Sequence, residues 1–172
     1  MDRSATPWGP RGLTLYDAWE VPSGIIRETE AAFRTGRHEV FVLWTAPLEN
    51  LQGTCRIRRL VVPQQEPGIG RFGGVYVHVA GEELVRVALD NYRRLERSVV
   101  QLHTHPSEDV EMSQLDREWE VTNGEGALSI IVPNYGRAGL DGLRGSQVYE
   151  RTGANWRRWS DEETARRIRW IA

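Results

Sequence analysis

The chain has 172 residues, a formal net charge of -2 and a hydrophobic fraction of 40%. That length suits a single domain, residues 1–172, with a real core, and falls short of two ordinary domains. The charge gives no global attraction to nucleic acid, no apolar run approaches the roughly 20 residues needed to cross a membrane, and the one cysteine, Cys55, excludes an internal disulfide, as suits a reducing cytoplasm.

Residues 1–12 contain proline and glycine and read as an extended surface segment. They lack a basic region followed by an apolar stretch, so no signal peptide is expected. A first helix is predicted from Ser23 to about Thr35, capped by Ser23, with Ile26, Thr29 and Phe33 at helical spacing and Gly36 as its stop. HEVFVLWTA, residues 38–46, is rich in β-branched and aromatic residues and reads as a buried strand. Residues 54–63 read as another strand, 64–74 as a glycine-containing loop and 75–79 as a strand.

The clearest helical pattern covers residues 82–97. Leu84, Val87, Ala88, Tyr92 and Leu95 make one apolar stripe, expected to face inward, and Glu82 and Glu83 suit the positive end of the helix dipole. SVVQLHTH, residues 98–105, returns to strand. A helix is expected from about Gln114 to Thr122, with Asn123-Gly124 as its stop, and then a short apolar strand at 127–133. A glycine-rich loop spans 134–145, SQVYERT and NWRRW read as a hairpin, and Ser160 with Glu163 makes a capping box for a last helix with Ala165, Ile168 and Ile171 inward. Interleaved strands and helices give a mixed α/β class.

All 22 basic residues are arginine. Codon usage in a GC-rich genome accounts for that simply; avoidance of modification at lysine amines is the sharper reading. The C-terminal group Arg157, Arg158, Arg166, Arg167 and Arg169 reads as a solvated helix face. His38 and His78 read as structural or surface histidines, and Cys55 as a small core residue.

Chemistry concentrates in His103-Thr104-His105-Pro106, followed by Ser113 and Asp116. Two histidines at i and i+2 on a strand share a face, with Cα atoms about 6.5–7 Å apart. Two imidazoles at that spacing can converge on one ion. Pro106 ends the strand because it cannot donate to a ladder. Asp116, in the first turn of the next helix, can fold back as a third ligand, leaving a fourth tetrahedral position for water, as in catalytic zinc sites. His-x-His alone is equally a pair of surface or core histidines, and Ser113 with Asp116 satisfies a capping pattern that needs no metal.

The combination is more specific. HTHPSEDVEMSQLD, residues 103–116, resembles the signature of the JAMM metalloproteases, the catalytic MPN domains: His-x-His-Pro, a fixed gap, then Ser-x-x-Asp. The resemblance in element order covers roughly residues 15–135. It implies the MPN/JAMM fold, a central curved mixed sheet flanked by helices, and one catalytic Zn2+ held by His103, His105 and Asp116. It also implies a glutamate general base on an earlier strand, a place that Glu39 occupies; Glu28 and Glu30 fall on the predicted helix and Glu49 in a loop. Ser113 would donate to the oxyanion.

The implied activity is hydrolysis of the amide after the C-terminal glycine of a ubiquitin-like protein, by deconjugation or precursor processing. The implied setting is a bacterial system with E1-like and E2-like partners, some of which serve antiphage defence. The loops at 64–74 and 134–145 are the expected walls of the substrate groove. The alternative from another class is a binding module that holds a ubiquitin-like tail without cleaving it. Neither nucleic acid nor membrane is an expected partner.

Overall fold

A computed structural model describes residues 15–35, 38–69, 75–118, 120–122 and 124–172. The expected N-terminal segment, the Gly36 stop and Asn123 of the second stop signal lie outside them. The principal sheet has six strands: β2 (Phe41–Pro47), β4 (Arg59–Val61), β7 (Glu96–Thr104), β8 (Leu128–Val132), β9 (Gln147–Thr152) and β10 (Asn155–Arg158), in the spatial order β10-β9-β8-β7-β2-β4. All neighbours are antiparallel except β7 and β8. β1 (Tyr16–Pro22), β3 (Gly53–Arg56) and β11 (Ile168–Ile171) make a parallel three-stranded sheet, and β5 (Glu66–Ile69) pairs with β6 (Val75–His78) as a hairpin.

β2 is buried from Phe41 through Ala46 because the sheet is covered on both faces. Successive strand residues point to opposite sides. Val42, Trp44 and Ala46, with Val100, Leu102 and Ile130, enter the main core beside helix α1 (Ser23–Thr35) and β1. Phe41 and Leu43 enter a second cluster with Val87 of helix α2 (Gly81–Arg93). Phe41 lies opposite His103, and Leu43 opposite Gln101. The histidine strand therefore turns its polar side chains toward α2 and the β5–β6 hairpin, away from the main core.

Helix α1 has the bounds expected from its spacing, burying Ile25, Thr29 and Phe33. Several other boundaries differ. The expected strand 54–63 is two strands in two sheets. The chain crosses over at Ile57, whose N–H donates to Glu20 O, and Arg58, whose N–H donates to Thr45 O. The expected loop 64–74 contains β5. Helix α2 stops at Arg93 because Leu95 takes a left-handed φ of 55° and the Arg94 and Leu95 N–H groups close onto Asp90, Asn91 and Tyr92 carbonyls; β7 starts at once at Glu96. The apolar stripe assigned to its inner face is mostly outside: Ala88, Tyr92 and Leu95 are exposed, and Glu83, Val87 and Asn91 are buried.

Helix α3 (Gln114–Glu118) is shorter than expected. Helix α4 (Asp161–Arg167) has the expected cap, Glu163 N–H donating to Ser160 Oγ at 3.1 Å. It ends at Arg167, leaving Ile168 and Ile171 to β11 and Ala165 exposed. The C-terminal arginines are not a uniform solvated face. Arg157 and Arg167 pair with buried Glu150 and with Glu163, and Arg158 pairs with Glu111.

Candidate metal centre

His103 and His105 stand at the end of β7, the strand between β2 and β8. The strand end is fixed on both sides. Thr104 exchanges bonds with Val40, whose N–H donates to Thr104 Oγ1 and whose carbonyl accepts from Thr104 N. His105 N–H donates to Val132 O, and its carbonyl accepts from Tyr135 N. Asp116 comes from the first turn of α3. His103 Nε2 lies 3.1 Å from His105 Nε2 and 3.1 Å from Asp116 Oδ1, and His105 Nε2 lies 3.6 Å from Asp116 Oδ2.

These distances permit a test of fit to a metal. Bonds of 2.0–2.1 Å in a tetrahedron set neighbouring donor atoms about 3.3–3.4 Å apart. The imidazole–imidazole separation of 3.1 Å and the approaches of the two Asp116 oxygens, 3.1 and 3.6 Å, lie close to that value, and one ligand atom from each residue falls within 4.8 Å of the others. His105 is also oriented for ligation. Its Nδ1 is 2.7 Å from Asp109 O; a carbonyl only accepts, so Nδ1 carries a proton and the ring is held with Nε2 facing the cluster, the atom that would ligate an ion on losing its own proton. The residues present fit a metal ion.

Burial opposes ionisation of Asp116, but hydrogen bonds from His103 and His105, helped by Ser113, hold its carboxyl well below the usual carboxylate range. Burial likewise opposes charge on His105, and its bonds to Asp116 and Asp109 overcome that, moving it upward. A permanent carboxylate facing two imidazoles is a site that attracts positive charge.

Glu39 lies between α1 and β2 and is half-buried. It lines one small cleft, about 50 Å³, with Phe41, Tyr76, Val77, Gln101, His103, Leu115 and Asp116. Burial pushes its carboxyl up to about 7, with His105 lowering it and Asp116 raising it further. Ser113 caps α3: its Oγ accepts from Asp116 N at 3.2 Å, and its own N–H donates to Asp116 Oδ2 at 2.7 Å. The capping pattern is thus real, and its reciprocal bonds orient Asp116 itself.

No described residue of the two loops expected to wall the groove lines this cleft; Tyr76 and Val77 belong to β6, after the first loop, and Gly70, Gly73 and Gly74 fall outside the described residues. Residues 134–145 touch the cluster only at their start, where Asn134 N donates to Ser107 O and Tyr135 N to His105 O. Beyond that they pack on α1: Leu140 N donates to Glu30 Oε1 at 2.8 Å, and Gly136, with φ +68°, lies so close to Phe33 that a Cβ would meet its ring at 2.7 Å.

Two contributors escape a reading by motif. Gln101 is 2% exposed; its Oε1 accepts from Val121 N, Thr122 N and Thr122 Oγ1, and its Nε2 donates to Ser129 Oγ. It ties the segment after α3 to the strand that carries the histidines. Tyr149 ties the segment before α3, its hydroxyl accepting from Met112 N at 3.1 Å and donating to Val110 O at 3.2 Å. Asp116 is held between these two anchors. The spacing of Gln101, two residues before His103, could have marked it as sharing the ligand face; nothing local marks Tyr149.

No family model matches the chain. Among solved structures, a protein of Desulfitobacterium hafniense (DSY2949) superposes with a TM-score of 0.56 at 11% identity, covering 89% of this chain and 92% of that one. A JAB1/MPN domain protein from Archaeoglobus fulgidus gives 0.45 at 13% identity, covering 89% and 99%. Among curated proteins, "Probable metalloprotease y4jG" of Sinorhizobium fredii (strain NBRC 101917 / NGR234) is 31% identical over 119 residues, 69% of this chain and 71% of that protein. With a mixed sheet flanked by helices and a His-His-Asp cluster compatible with a metal ion, this kinship establishes that the chain belongs to the JAMM (JAB1/MPN) family of metalloproteases.

Proposed function

We propose that the chain is a zinc-dependent peptidase or isopeptidase that cleaves the amide bond after the C-terminal glycine of a ubiquitin-like protein. The observation that carries the catalytic part is the three-donor cluster of His103, His105 and Asp116, with Glu39 lining a cleft beside His103 and Asp116. Two imidazoles and one carboxylate are the donor set of a hydrolytic zinc. Such an ion would lower the pKa of a bound water and polarise the scissile carbonyl.

The remaining work falls to the chain. Glu39, its carboxyl raised to about 7 by burial, is matched to taking a proton from the attacking water and delivering it to the departing amine, because transfer is most efficient when pKa and working pH agree. Ser113 Oγ spends a lone pair on the Asp116 N–H. A hydroxyl has one donor hydrogen besides, which helps hold the Asp116 carboxylate and would turn to the developing oxyanion. The narrow cleft suits a substrate with little side-chain bulk at the scissile bond, as a glycine-ending tail has. A bacterial conjugation system with E1-like and E2-like proteins, some linked to antiphage defence, is the setting this substrate class implies, and the lysine-free sequence suits a protein working beside lysine ligation.

Elemental analysis of wild type beside His105→Ala tests the metal: about one zinc per wild-type chain and almost none in the variant is expected. Two folded, zinc-free proteins that take up no added metal would sink the reading. Cleavage of a linear ubiquitin-like fusion is then compared with that of a lysine-linked conjugate. Glu39→Gln should keep zinc and lose on the order of 10²–10⁴ in rate.

A further inference from the structure

Strand β11 is an outer strand of the three-stranded sheet, with β1 on one side and no strand on the other among the described residues. An unpaired edge offers backbone N–H and C=O groups to another extended chain. Successive strand residues alternate between faces, and Ile168 and Trp170 share the face that packs against the main core. Both also line a cavity of about 470 Å³, together with Thr164 and Ala165 of α4 and residues 142–146, the turn before β9. That volume is in the range of pockets that hold a ligand, about 300–1,000 Å³. The lining is mixed in character. Arg144 and Asp161 stand exposed at it with opposite charge, and neither has an ion-pair partner among the described residues. Trp170 is half-buried, but its indole N–H is fully buried and finds no acceptor among the described residues. Such donors are rare in folded proteins, because the hydrogen bond given up to water is not replaced.

We propose that the open edge of β11 and its cavity dock an extended segment of a partner protein, one that carries two large apolar side chains on one face between an acidic and a basic side chain. A strand added to this edge stands about 4.8 Å from β11 and sends every second side chain toward the face that Ile168 and Trp170 share, and so into the cavity. Backbone hydrogen bonds to the edge give affinity, and the cavity reads the alternate side chains. The acid of the segment pairs with Arg144 and its base with Asp161, the two charges at the cavity that the chain leaves unmatched. Trp170 donates its indole N–H to an oxygen of the segment. A second copy of β11 does not fit, because its one charge is Arg169 and it brings no acid to Arg144. The site shares no lining residue with the metal cluster or its cleft, so the proposal stands without the peptidase reading.

The test is an NMR titration of the full chain with the blocked peptide acetyl-Glu-Ser-Leu-Thr-Leu-Ser-Arg-amide and with its reversed-order counterpart, since an edge accepts a strand in either direction. Saturable binding of one of them with a Kd below about 1 mM is expected. Shifts should be confined to Ile168–Ile171, α4 and the 142–146 turn, and the Trp170 indole N–H resonance should move downfield as it gains an acceptor. Replacing both leucines of the peptide by serine should weaken binding by about 10-fold or more, because two apolar side chains are lost from the cavity. Arg144→Glu should weaken it by about fivefold, and a peptide with arginine in place of its glutamate should recover the loss. Arg144 is exposed, and circular dichroism of the variant checks that the fold is kept. No binding of either peptide, binding indifferent to the leucines, or a Trp170 N–H that does not move would each overturn the proposal. Shifts at the same residues that grow with protein concentration alone would give the edge to a second copy and overturn it too.

Discussion

Two clusters of charged and titratable side chains lie in the β-sheet region, and they are neutralised in different ways. Around β9 and α4, the carboxylate of Glu150 is fully buried and accepts from Arg157, Arg167 and the Trp159 indole, while Glu163 closes the set by pairing with both arginines. Two acids meet two guanidiniums, which cannot lose their protons. At the end of β7, by contrast, the ion-pair partners of Asp116 among the described residues are two imidazoles, not guanidiniums. The first arrangement carries its cations within the chain and is closed. The second, among the described residues, supplies donors without a fixed cation, an arrangement that can accept an exchangeable one. Burial of charge by itself therefore does not single out the candidate metal centre in this protein.

The sharpest way to break that contrast is Glu150→Ala. It should destabilise the fold by about 3–5 kcal/mol, the cost of leaving buried charge uncompensated, while the folded fraction takes up as much added zinc as the wild type; denaturant unfolding and elemental analysis read the two. Asp116→Ala should do the reverse. Zinc affinity should fall by more than the roughly 10–100-fold that loss of a supporting partner costs, whereas the metal-free chain should lose only about 1 kcal/mol, the value of a capping contact. Equal damage to stability by both variants would erase the distinction.

Gln101→Met keeps the volume and removes the anchor of the segment after α3. A zinc affinity weakened by about 10–100-fold in a folded protein is expected; unchanged affinity would reduce Gln101 to a packing residue. The smallest effect belongs to Glu83, a third closed pair, whose carboxyl is lowered to about 2 by its bond to Arg86 and then by the Gln64 N–H. A depressed carboxylate stabilises the fold above its unfolded pKa of about 4.5 and loses that contribution as pH falls toward 2. The stability gap between wild type and Glu83→Gln should thus be constant above about pH 5 and close on acidification. A gap that widens in acid would reverse the sign of the argument.

Much of the site was legible locally. Strand period put His103 and His105 on one face, and Ser113 and Asp116 announced both a helix start and a candidate ligand. Glu39 was legible only through resemblance, since its approach to the cluster depends on Val40 pairing with Thr104 across 64 residues. Gln101 and Tyr149 were hidden because their partners, at 121–122 and 110–112, are specified by the meeting of separate elements. Helix α2 misled for a related reason. Its apolar stripe correctly signalled a helix, but periodicity records that one face is apolar and does not record what covers it.

Residue spacing by itself determined α1, the buried strand at Phe41–Pro47, the candidate ligand pair at the end of β7 and the capped carboxylate beside it, because these depend on strand and helix periods and on contacts within a few residues. Tertiary structure alone decided which face of the sheet the ligands share, that residues 54–63 divide between two sheets, that Glu150 is neutralised by Arg157 and Arg167, and that α2 turns its polar face inward. Each of these is set by long-range hydrogen bonding and charge pairing, whose energy exists only once distant segments have come together.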